Sequence, residues 1–250
     1  MDKITSRKNK IIAHMRALGS SRPYRRETGE YLCDGEKLLR EALDWNAQIT
    51  AVLWGSLTSV EVPSAIPQYL VPPDLINYVS PLKNTPGPVF SVKILDNNYP
   101  VHCCQALVLE GVQDPGNVGT VIRTANALET KVVILVGDCA DPYNPKAVRA
   151  AMGALFRQPV LEMDREELKD FLQYNKLTLW GAALGPGSED IRNIDLEKTA
   201  VAIGSEGRGL SSELLAICSG RLIIPMSPSS ESLNAAVAAS IVMWEMKRGR

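Results

Sequence analysis

Short, nearly continuous apolar runs alternate with longer amphipathic stretches through the second half of the chain. The runs predict buried strands, and the amphipathic stretches predict helices. We predict strands at residues 106–111, 132–136, 177–182, 199–204 and 221–224, and helices at residues 118–128, 146–155, 165–174, 211–217 and 233–247. This regular alternation is typical of an α/β fold, in which helices cover both faces of a parallel sheet.

The first hundred residues have a less regular pattern. Residues 4–18 carry apolar side chains at helical spacing, and a short strand at 31–33 precedes a second helix, with Asp34 as its expected N-cap. Strands are predicted at 49–54 and 89–95, on either side of a proline-rich stretch that excludes long elements. This pattern predicts a smaller, separate α/β unit.

A polar, turn-rich stretch at residues 96–102 separates the two patterns and is expected to be a linker. We therefore predict two domains, residues 1–98 and residues 103–250. With 250 residues, the chain can bury a substantial core. An apolar fraction of 45% and a charged fraction of 22% are typical of soluble globular proteins.

The composition argues against several classes of protein. Five cysteines without a CxxC pair, and only two histidines, favour neither a disulfide framework nor a metal site. A reduced, cytoplasmic setting is therefore expected. The N-terminus lacks an apolar signal region, and the longest apolar stretch, residues 233–246, is too short to span a bilayer, so we expect no membrane partner.

The net charge of −1 hides an uneven distribution of charge. Through residue 26, the chain has eight basic side chains and a single acidic one. This basic arm is suited to a nucleic-acid phosphate backbone, although a solvated charged surface would have the same pattern. The candidate contact residues are Lys10, Arg22, Arg25 and Arg26.

Three segments of the second half run from an apolar strand into a turn rich in small or polar residues and then into a helix. They contain NxGxxxR at residues 117–123, GSEGRGLS at 204–211, and IPM at 224–226 followed by SLN at 232–234. Such turns allow a ligand to approach the backbone closely. GSEGRG matches neither the dinucleotide fingerprint nor the phosphate loop of nucleotide-binding proteins.

The three segments resemble motifs 1, 2 and 3 of the SpoU (TrmH-like) family of RNA ribose 2′-O-methyltransferases, in the SPOUT superfamily. Residues 4–43 also resemble the substrate-binding domain that precedes the catalytic domain in many relatives. The resemblance implies a C-terminal SPOUT parallel-sheet domain with a deep trefoil knot, preceded by a small L30e-like α/β domain. Local sequence rules alone predict an unknotted Rossmann-like sheet.

The resemblance also implies an activity, a cofactor and a partner. The activity is 2′-O-methylation of a ribose in structured RNA with S-adenosylmethionine as cofactor, and ribosomal RNA is favoured over transfer RNA. The basic arm would then contact RNA, and the small, apolar last helix would contribute to a homodimer. Competing hypotheses are a catalytically inactive RNA-binding dimer of the same fold, a transfer RNA ribose methyltransferase, and a nicotinamide-dependent dehydrogenase. The dehydrogenase would need a glycine fingerprint that the chain lacks.

Site residues follow from the same resemblance. The implied cofactor-binding residues are Gly204, Ile224, Met226 and Leu233, and the implied catalytic residues are Arg123, Asn117, Glu206, Ser232 and Asn234. Arg123 is the main catalytic candidate, with a surface salt bridge as the alternative for an arginine on a helix. Because a guanidinium essentially never gives up its proton in water, two roles stay open. Arg123 would either stabilise the developing alkoxide or act with a substrate phosphate that accepts the proton.

Overall fold

The computed structural model describes residues 1–56, 60–81, 85, 87–95, 102–227 and 232–248. All of the predicted linker except His102 lies outside the described residues. The chain forms two compact units, of which the first contains Met1–Asp96 with Tyr143–Arg157 and the second contains Asn97–Pro142 with Gln158–Arg250. Thus the segment Tyr143–Arg157, which the sequence pattern groups with the second half of the chain, packs within the first unit.

In chain order, the first elements are β1 (Asp2–Lys3), α1 (Lys10–Ser20), α2 (Arg22–Thr28), β2 (Glu30–Asp34), α3 (Glu36–Asp44), β3 (Ile49–Trp54), β4 (Gln68–Leu70), α4 (Pro73–Val79), β5 (Val89–Lys93), β6 (Gln105–Glu110), α5 (Pro115–Ala127) and β7 (Val133–Val136). There follow α6 (Pro145–Ala151), β8 (Val160–Met163), α7 (Arg165–Asn175), β9 (Thr178–Ala182), β10 (Glu189–Asp190), β11 (Thr199–Gly204), α8 (Ser212–Leu215), β12 (Gly220–Ile223) and α9 (Ala235–Arg248). Short 3-10 helices lie at Ala154–Phe156 and Ile191–Asn193.

The first unit contains a five-stranded mixed sheet in the order β1-β4-β3-β5-β2. Strand β5 is antiparallel to both of its neighbours, β2 and β3. Helices α1 and α4 contribute Ile12, Met15 and Ile76 to a core in which these side chains are fully buried. Apolar burial of this kind is the main source of stability for a unit of this size.

Two local predictions in the first unit are wrong in detail. Helix α1 begins later than predicted, because the Asn9 side chain caps it by accepting a hydrogen bond from Ile11 N at 2.8 Å. Asp34 does not cap α3, which follows Gly35. Instead, the Asp34 carboxylate accepts hydrogen bonds from the hydroxyls of Ser80 and Thr85, so it links the end of β2 to a distant loop.

The second unit has the predicted α/β architecture, with a sheet of seven parallel strands in the order β10-β12-β9-β11-β6-β7-β8. The five predicted strands are all present. The sequence pattern missed β8 and β10, which lie at the two edges of the sheet. Edge strands are covered less completely than central strands, so they lack the continuous apolar run by which central strands are identified.

The sheet topology brings the three motifs together at the carboxyl ends of the strands of the second unit. Strands β6, β11 and β12 are parallel to their neighbours, so the turns that follow them emerge at the same edge. Glu110, the last residue of β6, lies opposite Gly204, the last residue of β11. The motif turns after β6, β11 and β12 therefore begin close together.

Candidate active site

A cavity of about 380 Å³ opens among the loops after β9, β11 and β12 in the second unit. Most of its walls are apolar, and the start of α9 closes one side. The predicted cofactor-binding residues Gly204, Ile224, Met226 and Leu233 all line this cavity. The fold thus collects residues from motifs 2 and 3 around one space, which is large enough for a small organic ligand.

The loop after β11 closes tightly on itself. Gly209 N donates a hydrogen bond to Ser205 O at 2.8 Å, and the same two residues form an isolated β-bridge. A Cβ atom on Gly204 would overlap the backbone of Gly209 and Leu210. Gly209 itself has a φ of 65°, in the left-handed region that favours glycine. Gly204 and Gly209 are therefore required by the shape of this loop.

Glu206, at the tip of that loop, connects all three motifs. Its Oε1 accepts a hydrogen bond of 2.6 Å from Asn117 Nδ2 of motif 1 and one of 2.7 Å from Asn234 Nδ2 of motif 3. Ala235 N, at the start of α9, donates to the same oxygen at 3.3 Å. One carboxylate thus fixes the relative positions of segments that are far apart in sequence.

Asn234 has a second role at the same point. Its Oδ1 accepts hydrogen bonds from Ala236 N at 3.0 Å and Val237 N at 3.3 Å, so the side chain caps α9. Its amide group also donates to Asn117 Oδ1 at 3.2 Å. Because Asn234 caps α9 and contacts Glu206, the start of this helix cannot move independently of the motif 2 loop.

The remaining two predicted catalytic residues have different positions. Ser232 lines the cavity. Arg123 lies on the exposed face of α5, opposite Val118 and Ile122, which are fully buried. Within the described residues Arg123 has neither an ion pair nor a contact with the Glu206 cluster, so the salt-bridge alternative gains no support. The guanidinium is available to a ligand.

The sequence interpretation missed Glu110, a carboxylate that is only 7% exposed. Its Oε2 accepts a hydrogen bond from Ser211 N at 2.8 Å, and its Oε1 accepts one from Ser211 Oγ at 2.7 Å. Arg165 adds an ion pair at 3.3 Å. The available signal was a single charged residue at the end of the apolar run LVLE, because such a residue must find partners when the strand is buried.

One of the four predicted RNA contacts is wrong. Arg25 is only 3% exposed, and its Nη1 donates a hydrogen bond to Leu18 O at 2.6 Å. Because this guanidinium is buried and donates to a carbonyl of α1, it connects α2 to α1. It is not accessible to an RNA phosphate. Lys10 and Arg26 are exposed and Arg22 is partly exposed, so they stay predicted contacts.

Two other classes of site receive no support from the described residues. No group of three or more potential metal ligands occurs among them. Two cysteines of the second unit, Cys103 and Cys218, are poor nucleophiles, because burial raises the pKa of each thiol to about 11. None of the described helices is both long enough and apolar enough to cross a membrane.

Comparison with known proteins agrees with this geometry. Residues 105–244 match the SpoU rRNA Methylase family. The chain is 30% identical to the 23S rRNA (guanosine(2553)-2′-O)-methyltransferase RlmP of Bacillus subtilis, over 99% of this chain and 100% of that protein. An AdoMet-bound rRNA methyltransferase structure from Sinorhizobium meliloti matches with a TM-score of 0.86 and 29% identity, covering 99% of this chain and 98% of that one.

A second solved structure has the same fold. The SpoU methyltransferase AviRb of Streptomyces viridochromogenes, in complex with AdoMet, matches with a TM-score of 0.86 and 27% identity, covering 97% of this chain and 98% of that one. The match to the family covers all three motifs and the residues that line the cavity. The chain belongs to the SpoU rRNA methylase family.

Proposed function

We propose that this protein transfers the methyl group of S-adenosylmethionine to a ribose 2′-hydroxyl in ribosomal RNA. The observation that carries the proposal is the Glu206 cluster, which joins the three family motifs beside an apolar cavity. The names of the relatives support it, since RlmP is named as a 23S rRNA 2′-O-methyltransferase and AviRb was solved with AdoMet. Family membership favours this reaction over that of a dehydrogenase.

The cavity fits S-adenosylmethionine. Its volume of about 380 Å³ and its apolar walls suit an adenosyl group, and the absence of a side chain at Gly204 lets a ligand approach the backbone. Gly204, Ile224, Met226 and Leu233 would hold the cofactor, largely through backbone atoms. When bound, this cofactor supplies an electrophilic methyl group.

The protein's own residues would position and activate the acceptor. Glu206 and Asn234 order the cavity wall, and Ser232 would contact the acceptor ribose. Arg123 places a positive charge where a 2′-oxyanion develops. Because the guanidinium keeps its proton, it would act by stabilising that charge, and a substrate phosphate or water would accept the proton of the hydroxyl.

The nucleotide that is modified does not follow from family membership. RlmP is named for a guanosine of 23S rRNA, whereas another relative, from Streptomyces viridochromogenes, is named for a uridine. That relative is 28% identical over 99% of this chain and 92% of its own length. We therefore propose ribosomal RNA as the substrate class and a base preference set by residues that differ within the family.

A methyl-transfer assay tests this function, with ribosomal RNA isolated from a strain that lacks the gene as the substrate. Isothermal titration should show that the wild-type protein binds S-adenosylmethionine, and mass spectrometry should locate one new 2′-O-methyl group in the ribosomal RNA. Binding of the cofactor without transfer to any RNA would support an inactive RNA-binding protein instead. Transfer to transfer RNA alone would support the tRNA methyltransferase hypothesis.

The first domain, residues 1–98, is proposed to bind the RNA substrate through its basic arm. Each phosphate contact contributes about 0.7 to 0.9 units to the slope of log affinity against log salt. Replacing Arg22 and Arg26 with Gln should therefore lower that slope by about 1.4 to 1.8 units without changing the nucleotide chosen. Arg40→Gln, an exposed arginine on α3 that pairs with Glu36, is the control. An unchanged slope would assign Arg22 and Arg26 to a solvated surface.

We also propose a homodimer that forms through α9. Val237 and Trp244 are 48% and 58% exposed, and they share a helix face because they are seven residues apart. Trp244→Glu should shift the protein from dimer to monomer in light scattering, since a charge would be buried in the interface. Tyr174→Glu, at an exposed aromatic residue of α7, should leave the dimer intact. A Trp244→Glu protein that stays dimeric would exclude this face.

A further inference from the structure

A buried carboxylate, Glu110, lies at the base of the loop that forms the cavity wall. The loop runs from Gly204 to Ser211, and both of its ends are next to Glu110. At the first end, Glu110 pairs with Gly204 across β6 and β11. At the second end, both carboxylate oxygens of Glu110 accept hydrogen bonds from Ser211, at 2.8 Å from N and 2.7 Å from Oγ. One residue therefore sets the distance between the two ends of the loop.

The hydrogen bonds around Glu110 extend to the next helix, α8. Ser211 Oγ also accepts a hydrogen bond from Leu214 N at 3.1 Å, so Ser211 caps α8. Arg165 approaches the same carboxylate from α7, at 3.3 Å. Because Glu110 is 7% exposed, it requires these partners to offset the cost of burying its charge.

The shape of the loop depends on the distance between its two ends. The loop is short, and Gly209 N bonds to Ser205 O, so a change in the separation of its ends would alter the turn that carries Glu206. Glu110 itself is absent from the described lining of the cavity. Any effect of Glu110 on a ligand must therefore pass through the loop.

We propose that Glu110 is a positioning residue that holds the motif 2 loop in the shape that binds S-adenosylmethionine, an inference that rests on the proposed function. It contacts neither the cofactor nor the RNA. The length of its side chain matters most, because the carboxylate must reach Ser211 N and Ser211 Oγ together. Its negative charge matters less, since a neutral amide of the same length can also bond to both Ser211 groups.

Two substitutions separate length from charge. Glu110→Asp keeps the charge but withdraws the carboxylate by roughly 1.5 Å, the length of one carbon–carbon bond, so both hydrogen bonds to Ser211 are lost. Glu110→Gln keeps the length, and its amide can accept from Ser211 N and donate to Ser211 Oγ. We expect Glu110→Asp to raise the Kd for S-adenosylmethionine about tenfold, which is within the range of the net contribution of two hydrogen bonds, whereas Glu110→Gln stays within about threefold of wild type.

A matched control separates positioning from general stability. Gln105 lies at the other end of β6, is also buried, and donates two hydrogen bonds, to Leu196 O at 2.7 Å and Met246 O at 2.8 Å. Gln105→Ala should lower the melting temperature at least as much as Glu110→Asp, yet leave the Kd for S-adenosylmethionine unchanged. RNA binding should be unchanged in all three variants, because both side chains are buried.

The measurements are the Kd for S-adenosylmethionine, the KM for the same cofactor, and the melting temperature, all on the full chain. If Glu110→Asp binds as wild type does, or if Gln105→Ala weakens binding equally, Glu110 has only a structural role. If Glu110→Gln is as weak as Glu110→Asp, the negative charge is required as well as the length, and the inference is wrong. A wild-type protein that does not bind S-adenosylmethionine would instead overturn the proposed function.

Discussion

Replacing Arg123 with Ala should lower the rate of methyl transfer by about 100- to 1,000-fold and leave S-adenosylmethionine binding close to wild type. Arg123 lies on the exposed face of α5, outside the described lining of the cavity. Its loss should therefore spare the cofactor and remove a positive charge that is needed only when the 2′-oxygen becomes negative. Single-turnover kinetics with ribosomal RNA measure the rate, and isothermal titration measures cofactor binding.

Two further variants define the role of Arg123. Arg123→Lys should recover little activity, because an ammonium group does not reproduce the planar, forked guanidinium. Lys169→Ala, which removes an exposed cation from α7, should transfer methyl groups at the wild-type rate. Wild-type turnover by Arg123→Ala would remove this residue from the mechanism, and a large loss of cofactor binding would mean that its role is structural.

The central strands were predictable because a strand that is buried on both faces consists mainly of apolar residues, which can be recognised in the sequence. Strands β6 and β11 lie between other strands and are covered on both faces, so their inner residues form unbroken apolar runs. The edge strands β8 and β10 have no such run. The pattern of apolar residues thus reports how completely a strand is covered, and it fails where coverage is partial.

Charge patterns are less informative, because they count side chains without showing where they lie. Arg22, Arg25 and Arg26 are close in sequence and looked alike in the basic arm. In the structure Arg25 faces Leu18 in the interior, whereas Arg26 faces solvent. Asp34 was similarly misassigned, since its partners Ser80 and Thr85 lie more than forty residues away in sequence.

The site was predictable as a set of residues but not as a set of contacts. Family motifs singled out Asn117, Glu206 and Asn234, yet neither periodicity nor spacing indicates that one carboxylate oxygen accepts hydrogen bonds from both asparagines. Such contacts arise from the order of strands in the sheet, which local patterns do not encode. The trefoil knot and the L30e-like first domain likewise remain predictions from the family resemblance.

The second large expected effect is a loss of cofactor binding caused by a change in the backbone of the motif 2 loop. Replacing Gly204 with Ala should weaken S-adenosylmethionine binding by roughly 100-fold, since forcing an extra methyl group into packed structure costs up to about 3 kcal/mol. The new Cβ would overlap backbone atoms of Gly209 and Leu210, which cannot move aside as a flexible side chain could. The turn that lines the cavity would have to open.

Gly207→Ala is the matched control, because it adds the same methyl group to the same loop. A Cβ atom at Gly207 meets open space, with nothing within 4 Å. We therefore expect Gly207→Ala to bind S-adenosylmethionine within about threefold of wild type, in line with the small effects of most surface substitutions. Isothermal titration measures both affinities, and circular dichroism confirms that both variants are folded. Equal affinities for the two folded variants would show that the tight closure of this loop at Gly204 is not required for binding the cofactor.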